Sequence, residues 1–126
     1  MGYLVPMGAQ VVFENGRYNG RTLIEWVPDV VARIVERFDP LKIILFGSLA
    51  RGEETRDSDI DLLVVLPHIE DKRRAAIDIR VAIGDLPVPV DVFPTDPEEI
   101  ERRRDIVGTV IWPAVREGRV VHERGS

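Results

Sequence analysis

Two short apolar runs, Leu41 to Phe46 and Ile60 to Leu66, constrain this chain more than any other feature. Each is rich in branched side chains, bounded by turn formers and too short for a buried helix, so each reads as a strand of an inner sheet. Residues 47–58 join them. Ahead of the first strand, Val31, Ile34, Val35 and Phe38 recur at helical spacing in a stretch that Pro28 opens, and Thr22 with Glu25 is spaced as a capping box. That helix should stop before Pro40.

Beyond the second strand, Ala75, Ile79, Ala82 and Ile83 predict an amphipathic helix over 71–86, and Val88 to Phe93, flanked by prolines, predicts a third strand. Thr95 and Glu98 are spaced as another capping box, for a helix through about Arg104. Gly108 breaks that helix. Ile111, Trp112 and Val115 mark a further short helix ended by Gly118, and Val120-Val121 reads as a short edge strand. Near the start, Asn15-Gly16 has the chemistry of a type I′ turn between Val11–Glu14 and Arg17-Tyr18, which predicts a small hairpin within residues 1–21. The expected architecture is α+β: one domain over 1–126, a mixed β-sheet with helices packed against it, plus the N-terminal hairpin.

Composition narrows the chemistry. With 126 residues there is no room for a second core of useful size, and no apolar run approaches the roughly 20 residues that span a bilayer. Met1 to Gln10 lacks the features of a secretory signal, so the expected location is the cytoplasm. Zero cysteines remove disulfides, thiolate zinc sites and cysteine nucleophiles, and two histidines are too few for a histidine-rich centre. Any metal must then be held by carboxylates. A net charge of −5 argues against sequence-specific duplex DNA as the main partner. The basic clusters Arg73-Arg74 and Arg102-Arg103-Arg104 read as solvated helix faces paired with neighbouring acids, or as a docking surface for another protein.

The chemistry-bearing residues concentrate between Phe46 and Leu63. Gly47 at the end of a buried strand lets backbone approach a ligand closely, and N–H groups of a turn or helix starting at Ser48 can point at phosphate oxygens. Asp59 and Asp61, two apart on a strand, place both carboxylates on one face about 6.6 Å apart along the chain, a span that two bridging metal ions can occupy. Asp91 stands alone in the apolar third strand. If the second and third strands pair, it joins Asp59 and Asp61. Three hard oxygen ligands without His or Cys select Mg²⁺ or Mn²⁺, and Mg²⁺ held this way is typically shared with substrate phosphates, which implies a nucleoside triphosphate. Arg51 lies one helical turn from Ser48 and could reach phosphate, although Glu53 and Glu54 are close enough to claim it. Singly these residues are weak signals: Ser48 also reads as a helix cap, Asp59 as a turn residue and Asp91 as an edge residue. The ordered set carries the inference.

Through Gly47, Ser48, Asp59 and Asp61 the chain resembles the DNA polymerase β-like nucleotidyltransferase superfamily, whose motif is Gly-Ser, ten residues, then Asp-x-Asp. More narrowly, Ile44 to Gly52 and Ser58 to Val65 are similar to the minimal nucleotidyltransferases of prokaryotic toxin–antitoxin pairs, whose partner is a helical HEPN-domain toxin. The resemblance covers about Asp29 to His122 and leaves the hairpin outside. It implies a polymerase β-like fold, Asp91 as third metal ligand, two Mg²⁺ ions, Gly47 and Ser48 on the β- and γ-phosphates, and transfer of AMP from ATP to a protein hydroxyl of the toxin. Two rivals stand beside it: a non-catalytic antitoxin that only covers its partner, and a transferase for a small-molecule hydroxyl.

Overall fold

Asn15 and Gly16 both take positive φ, 56° and 74°, so the chain reverses in two residues and β1 (Phe13–Glu14) pairs antiparallel with β2 (Arg17–Tyr18). The structure, a computed structural model, describes residues 11–125. The leader reading falls on Met1–Gln10, outside the described residues. The hairpin is tied down by Trp26, whose Nε1 donates to the Tyr18 carbonyl at 2.8 Å, and by the Arg21 guanidinium, 4.1 Å above the Trp26 ring.

Trp26 belongs to α1 (Leu23–Phe38), which begins where the capping box requires: Thr22 Oγ1 accepts from the Glu25 N–H at 3.4 Å, and Glu25 Oε1 accepts from the Thr22 N–H at 2.8 Å. Pro28 consequently lies inside the helix instead of opening it. Its missing N–H deprives only the Ile24 carbonyl, and Ile24 is exposed, so water can replace the bond. Asp39, with φ 45°, ends the helix by bonding its N–H to the Val35 carbonyl, and Pro40 follows.

The main sheet holds β3 (Lys42–Phe46), β4 (Ile60–Val65), β5 (Val90–Thr95) and β6 (Arg119–Glu123) in the order β5-β4-β3-β6. β3 runs antiparallel to both β4 and β6, whereas β4 and β5 are parallel, so the sheet is mixed. A parallel pair needs a crossover, and α3 (Lys72–Ile83) supplies it, capped by the Asp71 carboxylate on the Arg74 N–H. β5 begins two residues later than Val88 and continues through Pro94 to Thr95. Pro94 is tolerated because β5 is an edge strand: the Thr95 carbonyl accepts from the Leu66 N–H at 2.8 Å, which turns the adjacent Pro94 position outward. Since Thr95 ends the strand, the expected Thr95–Glu98 capping box does not form. Asp96 caps α4 (Pro97–Arg103) instead, accepting from the Glu99 N–H at 2.9 Å. After residues 104–110, α5 (Ile111–Glu117) ends at Gly118.

Strand alternation sorts the core into two layers. Ile43, Leu45, Ile60, Leu62, Val64 and Val92 pack against α1 and α3, while Ile44, Phe46 and Leu63 meet Ile111 and Ala114 of α5 with Phe93 at the margin. No helix among the described residues is long and apolar enough to cross a membrane.

Candidate active site

The face shared with Phe46, Leu63 and Phe93 also carries the acidic residues. Asp61 pairs with Phe46 on one side and with Asp91 on the other, so the β4–β5 register sets two carboxylates side by side on neighbouring strands. Asp59, just before β4, completes the group. One carboxylate oxygen from each of Asp59, Asp61 and Asp91 lies within 4.8 Å of the others. Asp59 and Asp61 are both half-buried. Burial pushes Asp61 up to about 6, aided by the negative charges of Asp91 and Asp59 and opposed by the cation of Arg51. Asp59 is also raised, by burial first and then by the neighbouring Asp91 carboxyl. Three clustered carboxylates, two of them raised by burial and by their neighbours' charge, form a hard-oxygen donor set that Mg²⁺ or Mn²⁺ fits.

Beside this cluster, at the end of β3, Gly47 takes φ +79° and opens α2 (Gly47–Ala50), which has no side-chain cap. A Cβ at this position would overlap Oδ2 of Asp61, so only glycine fits. Ser48 Oγ lies 3.0 Å from Ser58 Oγ, and Ser58 Oγ accepts from the Thr55 N–H at 2.7 Å. Ser58 is buried and fixes both the Ser48 hydroxyl and the loop that returns to Asp59. Sequence reading gave Ser58 no role; the available signal was a hydroxyl residue immediately before Asp-x-Asp, ten positions from Ser48. Arg51 is brought near Asp61 but engages Glu53, Nε to Oε1 at 2.7 Å, with Glu117 at 3.7 Å. Glu54, the other acid expected to compete for it, lines a hollow beneath the hairpin with Arg56 and Phe13.

Residues 27–112 match the family described as a nucleotidyltransferase domain. The chain belongs to that family. No curated protein matches this nucleotidyltransferase in sequence. Among solved structures it is similar to a Sulfolobus solfataricus protein assigned as a nucleotidyltransferase, with TM-score 0.55 and 23% identity over 81% of each chain. It is also similar to a mutant of the MntA–HpeT toxin–antitoxin, with TM-score 0.51 and 18% identity over 78% of this chain and 73% of that one. A toxin–antitoxin solved with AMP-PNP gives TM-score 0.51 and 20% identity over 79% and 75%. These likenesses establish the fold. The matched stretch contains all six residues singled out from sequence: Gly47, Ser48, Arg51, Asp59, Asp61 and Asp91. It excludes the hairpin.

Proposed function

We propose that this nucleotidyltransferase moves AMP from ATP onto a hydroxyl of a helical partner protein, as the cytoplasmic antitoxin of a pair whose toxin is of the HEPN type. The observation that carries this reading is the convergence of the Asp59, Asp61 and Asp91 carboxylates beside Gly47 and Ser48. The similarity to toxin–antitoxin structures, one of them holding AMP-PNP, supports the assignment of the partner and the nucleotide.

Asp59, Asp61 and Asp91 would hold two divalent ions, Mg²⁺ or Mn²⁺. Bound there, such ions neutralise phosphate charge and lower the pKa of the acceptor hydroxyl. Gly47 leaves space for the Asp61 carboxylate and, with the uncapped N–H groups of α2, for β- and γ-phosphate oxygens. Ser48 adds a hydroxyl donor, held in place by Ser58. Arg51 would reach a phosphate on exchanging its Glu53 contact, which is solvent-exposed and therefore weak. The acceptor oxygen forms a bond to the α-phosphorus, the bond from that phosphorus to the α–β bridging oxygen breaks, and pyrophosphate leaves. The acceptor hydroxyl's proton passes to solvent. Intact mass of the partner, after incubation with ATP and Mg²⁺ and the purified chain, tests the reading: a gain of one AMP is expected.

A further inference from the structure

We propose that the acceptor protein docks by an apolar side chain in a groove on the β5 side of the aspartates, with acidic residues of the same segment on the arginines at its rim. This rests on the transfer reading above and names the surface by which the acceptor is held. The groove has a volume of about 420 Å³ and spans both faces at the edge strand β5, with Leu63, Phe93 and Ile111 on the face of the aspartates, Val92 and Ala76 on the face of α3, and Val110 at its lip.

Position argues for the acceptor rather than the nucleotide. Along the sheet, Ser48 follows β3, Asp61 lies on β4 and Asp91 on the edge strand β5. Phosphates held by Gly47 and Ser48 occupy the β3 side, which leaves β5 as the approach for the attacking hydroxyl. Phe93 and Thr95 share a face with Asp91, and Phe93 follows it by one strand repeat, about 6.6 Å. An anchor in the groove therefore places a neighbouring hydroxyl within reach of Asp91.

Chemistry argues for an apolar anchor. Three polar side chains of the groove satisfy one another: Thr95 Oγ1 donates to Glu99 Oε1 at 2.6 Å, and Lys72 Nζ donates to Glu99 Oε2 at 2.5 Å. Apart from Arg73 at the rim, its other lining side chains are apolar. In the segment that leads to Val110, Ile106 and Val107 are exposed, Val107 with 74% of its area.

Charge argues for an acidic flank. Lys72 and Arg73 line the groove, and Arg103 reaches the Glu99 carboxylate at 3.6 Å. Among the described residues, Arg73 and Arg102 have no ion-pair partner, unlike Arg74, Arg103 and Arg104 beside them. In a chain of net charge −5, this face is locally basic and attracts an acidic segment.

The absence of cysteine from the chain provides the test. Val110→Cys at the lip and Ala32→Cys on the exposed side of α1 are each alkylated with N-ethylmaleimide, alone, with the co-purified partner protein, and with AMP-PNP and Mg²⁺. The partner should slow alkylation at position 110 by about tenfold or more and leave position 32 unchanged, while AMP-PNP with Mg²⁺ leaves both rates within about twofold. In parallel, Arg73→Glu should raise KM for the partner about tenfold with kcat and AMP-PNP binding retained. Unchanged alkylation at position 110 in a complex that forms would overturn the proposal. So would protection by AMP-PNP alone, which would give the groove to the nucleobase. Protection by a partner that never acquires AMP would uphold the docking surface while refuting transfer.

Discussion

Gly47 and Asp61 meet across the β3–β4 pair so closely that a side chain on residue 47 would overlap Oδ2 of Asp61 and come within 3.3 Å of its Cγ. The positive φ of Gly47 and the position of the carboxylate are thus one arrangement. Gly47→Ala incurs backbone strain of about 1–2 kcal/mol and pushes the Asp61 carboxylate aside. A displacement of this kind can cost on the order of 100-fold in rate, so transfer should fall far more than the melting temperature does. A variant that transfers AMP at the wild-type rate would show that the contact is not needed.

Asp61 is destabilising without a cation. Its folded pKa, about 6, lies above the 3.8 of an ordinary aspartate, so the folded state binds this proton more tightly. Metal-free stability contributed by this group therefore falls as pH rises from 3.8 through about 6 and is level above. In EDTA, Asp61→Asn should melt higher than wild type at pH 7 to 8, with the gap closing towards pH 4. Mg²⁺ should raise the wild-type melting temperature, less so below pH 6 where protons compete, and should leave the variant unmoved. A lower melting temperature for the variant at pH 8 in EDTA would contradict this.

On the proposed reading, Ser58 acts on substrate through Ser48, whose hydroxyl it holds at 3.0 Å. Ser58→Ala removes the hydroxyl that bridges Ser48 Oγ and the Thr55 N–H. Hydrogen bonds of this sort contribute about 0.5–1.5 kcal/mol each, which corresponds to a rise of roughly two- to tenfold in KM for ATP. Because Asp59 and Asp61 are untouched, kcat should change little. Steady-state kinetics with partner in excess would show the split, and a collapse of kcat at unchanged KM would assign Ser58 a different role.

Glu99 ties α4 to the strand beneath it and to α3. Burial favours its neutral form, but hydrogen bonds from Lys72 and Thr95 prevail and hold it below the usual range. Its stabilisation is present above the unfolded value of 4.5 and is lost as pH falls through the folded one. Glu99→Gln should cost about 1 kcal/mol at pH 7, since Lys72 is half exposed and its contribution is screened. The difference should vanish in acid. Thermal melts at pH 7 and pH 3 would check both parts.

Much of this was legible in the sequence because the deciding signals are local. Asn15-Gly16 specifies its own turn, Thr22 and Glu25 fix the start of α1, and the register that joins Asp61 to Asp91 follows once two apolar strands are adjacent. The misplaced boundaries came from residues whose local preference yields to tertiary context. Pro94 looked like a strand terminator and is harmless on an outer edge; Thr95 looked like a helix cap but is taken up by the β4–β5 ladder, which passes the cap to Asp96. Ser58 was hidden for another reason: its importance lies in a contact with Ser48 that only the folded loop creates. The Thr95–Glu99–Lys72 network depends likewise on helices brought together by the sheet.

Transfer itself is the most direct test, with Asp91 as the discriminating residue. Asp91→Asn retains the shape of the side chain and removes a charge from the β5 side of the cluster, away from Gly47 and Ser48. The partner protein is incubated with ATP, Mg²⁺ and either form of the chain, its intact mass is measured, and each pair is co-purified. Wild type should add one AMP, and Asp91→Asn should slow transfer by orders of magnitude while the complex survives, since loss of such a group typically costs several kcal/mol of transition-state stabilisation. Modification at the wild-type rate by Asp91→Asn, or a wild type that binds the partner tightly and modifies nothing, would contradict the account.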